Sequence, residues 1–340
     1  MLFLKKIKRT LTWKYIVLII IKPFFDFIWS YIINLEAKIL YFKWNKQKRD
    51  FFDLKGSNHL IVKNDNRILK IVDELNNFCT DEVLKKSKQK LTSEGAYGKL
   101  PKDSYQNELF DLLPENLKDK VVKFATSDLI VNTAAQYLGV FPILSRIYFY
   151  HNIPKTRETI MAQRWHKDGM SYKGIDFFIP ITDVDHENGP LFFVKRKSKL
   201  GAFEKIDKID QNSVPGGRGK VSDEEFSKIF KDHEINTLLG EKGTTLIVDS
   251  YNCYHKGGHC KSKERVMLRI AFDTIDSTVI YFDEDRYKSD KIFYFNKEKV
   301  ENIDNNFLKY LMFRRSKIIK KLKIAPALLK IYEIFQYKMN

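Results

Sequence analysis

Cysteine is almost missing from this chain: Cys79, Cys253 and Cys260 are the only three in 340 residues. None belongs to a Cys-x-x-Cys pair, so a disulfide framework is excluded and a reducing, cytoplasmic setting is expected. Cys253 and Cys260 flank His255 and raise a zinc question, but their spacing matches no common zinc pattern. Glycine (15) and proline (9) are sparse, which rules out collagenous and low-complexity chains. No internal repeat of fixed period is visible. A spanning helix needs about 20 mostly apolar residues. The apolar runs Tyr15–Ile21 and Phe24–Ile33 are separated by Lys22 and Pro23 and broken by Asp26, so none is expected here. No small-residue cleavage site follows them, which argues against a signal peptide.

Acidic residues are also under-represented, 43 against 60 Lys and Arg, for a net charge of +17. Such a balance favours polyanionic surroundings: an anionic membrane surface, nucleic acid, or an acidic or phosphorylated small molecule. It also fits a plain compositional bias, since much of the Lys lies beside Asn and Ile. No nucleic-acid recognition motif is visible, so nucleic acid is not the expected partner. With 44% hydrophobic residues the chain can build a substantial core.

Three regions follow from the patterning. Residues 1–48 form a hydrophobic, basic segment of short amphipathic helices, suited either to a membrane interface or to packing as an arm on the domain or on a second subunit. Residues 49–295 are expected to be the main domain, and residues 296–340 a basic helical tail with the same two readings. Within the domain, residues 66–140 read as helical. Asn66–Asn77 is amphipathic, Thr80 precedes early acids, Pro114 opens a third helix, and Gly139 is a stop. From about 141 to 280 the period changes to two. Short aromatic and β-branched runs cover 143–150, 158–165, 175–181, 190–194, 244–248 and 265–272, separated by turn signals such as Asn188-Gly189. That is the signature of an all-β sandwich or barrel. A polar insert at 200–232 has the length of a lid or binding loop.

The chemistry concentrates in the β region. His166 and Asp168 close a predicted strand, where residues two apart share a face. Alone, the pair reads more readily as a surface histidine beside an aspartate. His255 follows a distant strand, and two His with one carboxylate can occupy one face of an octahedral ion, leaving the opposite sites open. Ten residues on, Arg265 opens another strand, with Arg269 on the same face as the alternate. A guanidinium fork is suited to the free carboxylate of a chelating keto acid. Gln163 and Thr182 are placed to hydrogen-bond such a co-substrate. His259 is read as a neighbour of the site or exposed, and His59, His151 and His233 have no assignable partners.

As an ordered set, Gln163-Arg-Trp-His-Lys-Asp, Phe178-Ile-Pro-Ile-Thr-Asp-Val-Asp-His-Glu-Asn-Gly-Pro-Leu-Phe-Phe-Val, His255-Lys-Gly-Gly and Arg265-Val-Met-Leu resemble the phytanoyl-CoA dioxygenase family over about residues 135–275. The resemblance implies an α+β fold: a double-stranded β-helix (jelly-roll, cupin-like) core flanked by helices, with helical N- and C-terminal extensions. It implies iron(II), 2-oxoglutarate and O₂ as cofactors and co-substrates. His166, Asp168 and His255 would be the iron ligands and Arg265 the 2-oxoglutarate clamp. The activity implied is oxidative decarboxylation of 2-oxoglutarate to succinate, coupled to hydroxylation of a substrate C–H bond. The chain departs from the family after the Gly-Pro-Leu strand, where Lys195-Arg-Lys-Ser-Lys replaces the usual Pro-Gly-Ser-His-Lys. From the charge and the two ends, the expected substrate is a small or lipid-linked anionic molecule, such as an envelope saccharide precursor, met at the inner membrane face. A jelly-roll binding module that retains the triad without catalysis is the alternative.

Overall fold

The computed structural model describes residues 35, 37–47, 49–90, 106–154, 161–168, 174–194 and 221–274. Most of the N-terminal segment, the whole C-terminal tail, the basic cluster at 195–199 and most of the insert at 200–232 lie outside these residues. Strands are β1 (His59–Val62), β2 (Gln106–Glu108), β3 (Ile143–Asn152), β4 (Gly174–Pro180), β5 (Leu191–Val194), β6 (Ile235–Leu238), β7 (Thr245–Val248), β8 (His255–Gly257) and β9 (Arg265–Asp273). Helices are α1 (residues 37–45), α2 (Asn66–Phe78), α3 (Asp81–Lys90), α4 (Glu115–Ala125), α5 (Asp128–Leu138) and α6 (Asp223–Ser227).

The helices begin and end for local reasons. Asp65 accepts the Arg67 N–H and caps α2, and α4 starts after Pro114. Gly139, at φ 71°, stops α5 in the left-handed region open to glycine. Four apolar residues of α2 (Ile68, Ile71, Val72 and Leu75) form a buried stripe.

The strands form two antiparallel sheets, one of six strands in the order β1-β7-β4-β9-β3-β2 and one of three in the order β6-β5-β8. The architecture is an α+β jelly roll, with helices packed on the outer face of the large sheet. Period two sorts the central strands between two cores. Ile147 and Phe149, Ile175, Phe177 and Ile179, and Leu268, Ile270 and Phe272 face the helices. Their neighbours Tyr148, Tyr150, Phe178 and Met267 face inward and join Leu191, Phe193 and Leu238 of the small sheet. Both faces are covered, which is why these strands read as nearly continuous apolar runs.

Several elements depart from the sequence expectation. The run expected as a strand over 158–165 shows, where described, a 3-10 turn at Met161–Gln163 and a single bridge from Trp165 to Val221. Inside the stretch expected to be helical, Gln106–Glu108 is an edge strand on β3. β1 and β6 also went unforeseen. All three are partly exposed edges of three or four residues, too short to show a period of two.

Candidate metal centre and anion subsite

His255 opens β8 at the edge of the small sheet. His166 lies directly opposite: its N–H donates to the His255 carbonyl and the His255 N–H to the His166 carbonyl, both at 3.0 Å. Such a doubly bonded cross-strand pair puts both side chains on one face, and the ring centroids are 4.5 Å apart. Asp168 is fixed from the other sheet, its N–H donating to the carbonyl of Ser250, just beyond β7, at 2.8 Å. His166 and Asp168 therefore converge because segment 165–168 spans the mouth between the sheets, each end held by a different one. They are not two positions of one regular strand.

Among the described residues, this trio is the one group of potential ligands close enough to hold a metal ion, with one donor atom from each lying within 4.8 Å of the others. The tautomers are determined. His166 Nδ1 donates to the Arg164 carbonyl at 2.7 Å and His255 Nδ1 to the Cys253 carbonyl at 3.1 Å. In the neutral rings both Nε2 lone pairs are then bare, and each faces an Asp168 oxygen at 3.5 Å. Two lone pairs aimed at a carboxylate repel it unless a cation lies between them. Burial pushes the His166 pKa down, which favours the neutral ring a ligand must present. Burial alone would raise the Asp168 pKa, but the Arg269 guanidinium holds it well below the ordinary carboxylate range. The donor set fits a divalent ion. The two cysteines near His255 are engaged elsewhere: Cys253 and Cys260 donate their thiols to the Val194 and Asn188 carbonyls, and burial pushes Cys253 up to about 12.

Arg265 and Arg269 both project from β9 into the space between the sheets, with Met267 between them, but in different electrostatic settings. Arg269 donates from Nε to Asp176 at 2.7 Å and from Nη2 to Asp168, so it is paired twice. Arg265 is only 3% exposed, yet its partners are neutral: Nη1 donates to the Gly189 carbonyl and Nη2 to the Asn152 side-chain oxygen at 3.1 Å. Its Nε is buried without a hydrogen-bond partner. No carboxylate among the described residues forms an ion pair with it. A buried cation with an orphaned donor is a costly arrangement that an anionic ligand relieves.

Of the other expected site residues, Gln163 is buried and contacts His259, Nε2 to Nδ1, at 3.2 Å. The Thr182 hydroxyl accepts the Val266 N–H at 3.2 Å, which pins the start of β9. His151 has strong partners, Ser87 at 2.9 Å and Glu264 at 2.8 Å, on the helix side of the sheet. Asp176, Ser250 and Asn152 are not legible as site residues in the sequence, and Gly189 is legible there only as a turn. Asp176 does carry a readable sign of pairing, because a lone carboxylate inside the run Ile175-Asp-Phe-Phe-Ile requires a buried partner.

No family model matches the chain and no curated protein matches it. Among solved structures it is similar to EctD from S. alaskensis in its apoform, with 14% identity and a TM-score of 0.41, covering 65% of this chain and 74% of that one. It is also similar to SnoN, an α-ketoglutarate-dependent epimerase of nogalamycin biosynthesis (13%, 0.39, 64% and 79%), and to AviO1 from Streptomyces viridochromogenes Tue57 (11%, 0.39, 72% and 96%). Structures of EctD with bound Fe, and with 2-oxoglutarate and 5-hydroxyectoine, are also similar. What the present site can do follows from its own residues.

Proposed function

We propose that this chain is an iron(II)- and 2-oxoglutarate-dependent dioxygenase. The observation that carries the proposal is the pairing of two unmet needs in one interior: a facial His-Asp-His donor set that calls for a cation, and Arg265, a buried guanidinium that calls for an anion. His166 and His255 would hold the ion through Nε2, and Asp168 through a carboxylate oxygen. Two His and one carboxylate on one face leave the opposite positions open, the pattern suited to non-haem iron(II). When bound, iron(II) with 2-oxoglutarate activates O₂, releasing succinate and CO₂ and delivering oxygen to a substrate C–H bond. The protein's part is geometric. Arg265 would receive the far carboxylate of the co-substrate through its unpartnered Nε–H and its positive charge. Tyr148, Tyr150, Phe178 and Met267 wall the interior with buried side chains that exclude water.

For the substrate, the reading is a small or lipid-linked anion, met while the protein lies on an anionic membrane surface. The net charge of +17 supports this, as does the outer face of α1, where Ile39 and Phe42 (66% exposed) stand beside exposed Lys43 and Lys46. No helix among the described residues is long and apolar enough to cross a membrane. Sedimentation with anionic and neutral vesicles tests this part; indifference to both defeats it.

The enzymatic reading is tested on anaerobically purified protein reconstituted with iron(II). Succinate formation from 2-oxoglutarate must require both iron and O₂, and His166→Ala must abolish it while the protein stays folded. Equilibrium titration with 2-oxoglutarate under anaerobic conditions gives a readout separate from turnover. Succinate formation that persists in His166→Ala rules the assignment out. Stoichiometric iron and 2-oxoglutarate binding with no turnover in any condition would favour the binding-module alternative.

A further inference from the structure

Arg269 and Asp176 lie at the centre of a closed circuit around the Asp168 carboxylate. Arg269 reaches Asp168 with Nη2 and Asp176 with Nε, the latter at 2.7 Å. Asp176 is fully buried, and its other oxygen accepts the Ser250 hydroxyl. Ser250 closes the ring, since its carbonyl accepts the Asp168 N–H at 2.8 Å. Each link comes from a different place: β9, β4, the turn after β7, and the segment that bridges the sheets. Asp168 is thus held by both its backbone and its side chain, and neither hold depends on an ion.

The two carboxylate oxygens are made unequal. Oδ2 takes the Arg269 hydrogen bond and lies 3.5 Å from His255 Nε2; Oδ1 has no guanidinium and lies 3.5 Å from His166 Nε2. A carboxylate with one oxygen already engaged in a charge-assisted hydrogen bond offers the other to a metal. A lysine at 269 could not make both contacts, because only the planar guanidinium presents Nε and Nη2 donors in a fixed fork. Asp176 in turn sets the rotation of that fork.

We propose that Arg269 and Asp176 are a positioning pair that makes Asp168 a monodentate, Oδ1-directed ligand and keeps the opposite face of the ion open for co-substrates. This rests on the metal-centre reading. Arg269 accordingly serves the metal side of the site, and Arg265 the anion side.

The experiment is a Co²⁺ titration of the full chain followed by the visible spectrum of the bound ion, with thermal unfolding of the apoprotein run in parallel. Expected for Arg269→Lys and for Asp176→Asn is a loss of Co²⁺ affinity on the order of 10–100-fold, the range for losing an outer-shell partner of a ligand. The spectrum should change as Asp168 becomes free to bind through both oxygens. A merely structural role would lower the melting temperature and leave affinity and spectrum alone; that outcome in either folded variant overturns the proposal. Should both variants fail to fold, a crystal structure of the wild-type protein with Co²⁺ decides. Asp168 bound through Oδ1 with Oδ2 on Arg269 supports the pair, and a bidentate Asp168 released from Arg269 overturns it. Wild-type protein that binds no Co²⁺ would instead count against the metal centre itself.

Discussion

Arg265 donates to Asn152 across 3.1 Å, so a buried cation in the interior of the jelly roll is answered by an amide oxygen and not by a carboxylate. Asn152 ends β3 and Arg265 opens β9, directly paired in the register, so the contact follows from the sheet itself. An unpaired buried charge destabilises a protein unless a ligand completes it. Arg265→Met should therefore leave apoprotein stability unchanged or raise it, while abolishing stabilisation by 2-oxoglutarate. In the wild type, saturation at one hundred times Kd should add about 2.7 kcal/mol. Thermal unfolding with and without the dianion measures both effects. Equal ligand-induced shifts in the two proteins would remove Arg265 from the anion subsite.

The four charges that flank the candidate centre sum in an informative way. Asp168 and Asp176 balance Arg265 and Arg269, so adding a divalent ion alone, or a dianion alone, leaves a net buried charge, and adding both restores neutrality. Metal and 2-oxoglutarate should bind with positive coupling of about 1–3 kcal/mol, equivalent to roughly 5–150-fold. Anaerobic titrations of 2-oxoglutarate with and without Mn²⁺ check it, and linkage requires the same factor in the reverse experiment. Identical affinities would mean the two subsites do not share one low-dielectric interior.

Asp273, at the end of β9, is buried and receives the Tyr251 hydroxyl. Burial raises its pKa from 3.8 to about 6, against the opposing pull of Arg146 and Tyr251. Because the folded value lies above the unfolded one, this group's stabilisation is complete below pH 3.8 and is lost as the pH rises through about 6. Asp273→Asn keeps an acceptor for Tyr251 and cannot ionise. Relative to wild type it should gain roughly 2 kcal/mol between pH 4 and pH 7, since each tenfold change in proton affinity on folding is worth ~1.4 kcal/mol and part of the effect is already present at pH 4. Urea unfolding at the two pH values reads the difference; a gap that does not change with pH would contradict it.

Gly189 supplies the carbonyl for Arg265 from a backbone position at φ +70°. A Cβ there would lie 2.6 Å from the Gly258 carbonyl oxygen, which is backbone and cannot swing aside. Gly189→Ala should cost at least about 1–2 kcal/mol from the left-handed conformation alone, with more from the clash. Moving the carbonyl also strips Arg265 of a partner, so the affinity for 2-oxoglutarate should change together with stability. An alanine variant with wild-type unfolding and binding would show that this turn is not what holds the guanidinium.

Much of the fold is legible because local rules and packing agree. The amphipathic stripe of α2, the proline that opens α4 and the glycine that ends α5 act over a few residues. Likewise β3, β4, β5, β7 and β9 are long or apolar enough for their pattern to show. His166, Asp168, His255 and Arg265 are readable as an ordered set of residue types suited to one kind of site. β1, β2 and β6 are not, since an edge strand of three or four residues is defined by the partner it pairs with and not by its own periodicity.

The sequence alone determined which side chains are available: two imidazoles, one carboxylate between them in kind, and two guanidinium groups on one face of one strand. Tertiary structure decided how the guanidinium groups divide. Arg265 and Arg269 are the same residue type at matching positions of β9, and period two cannot tell them apart. Asp176 from β4 and Asp168 from the bridging segment neutralise Arg269, whereas Gly189 and Asn152 offer Arg265 only neutral oxygens. The reason is physical: a side chain's charge is a property of its covalent structure, but whether that charge is satisfied depends on which distant residues the fold brings within hydrogen-bond reach.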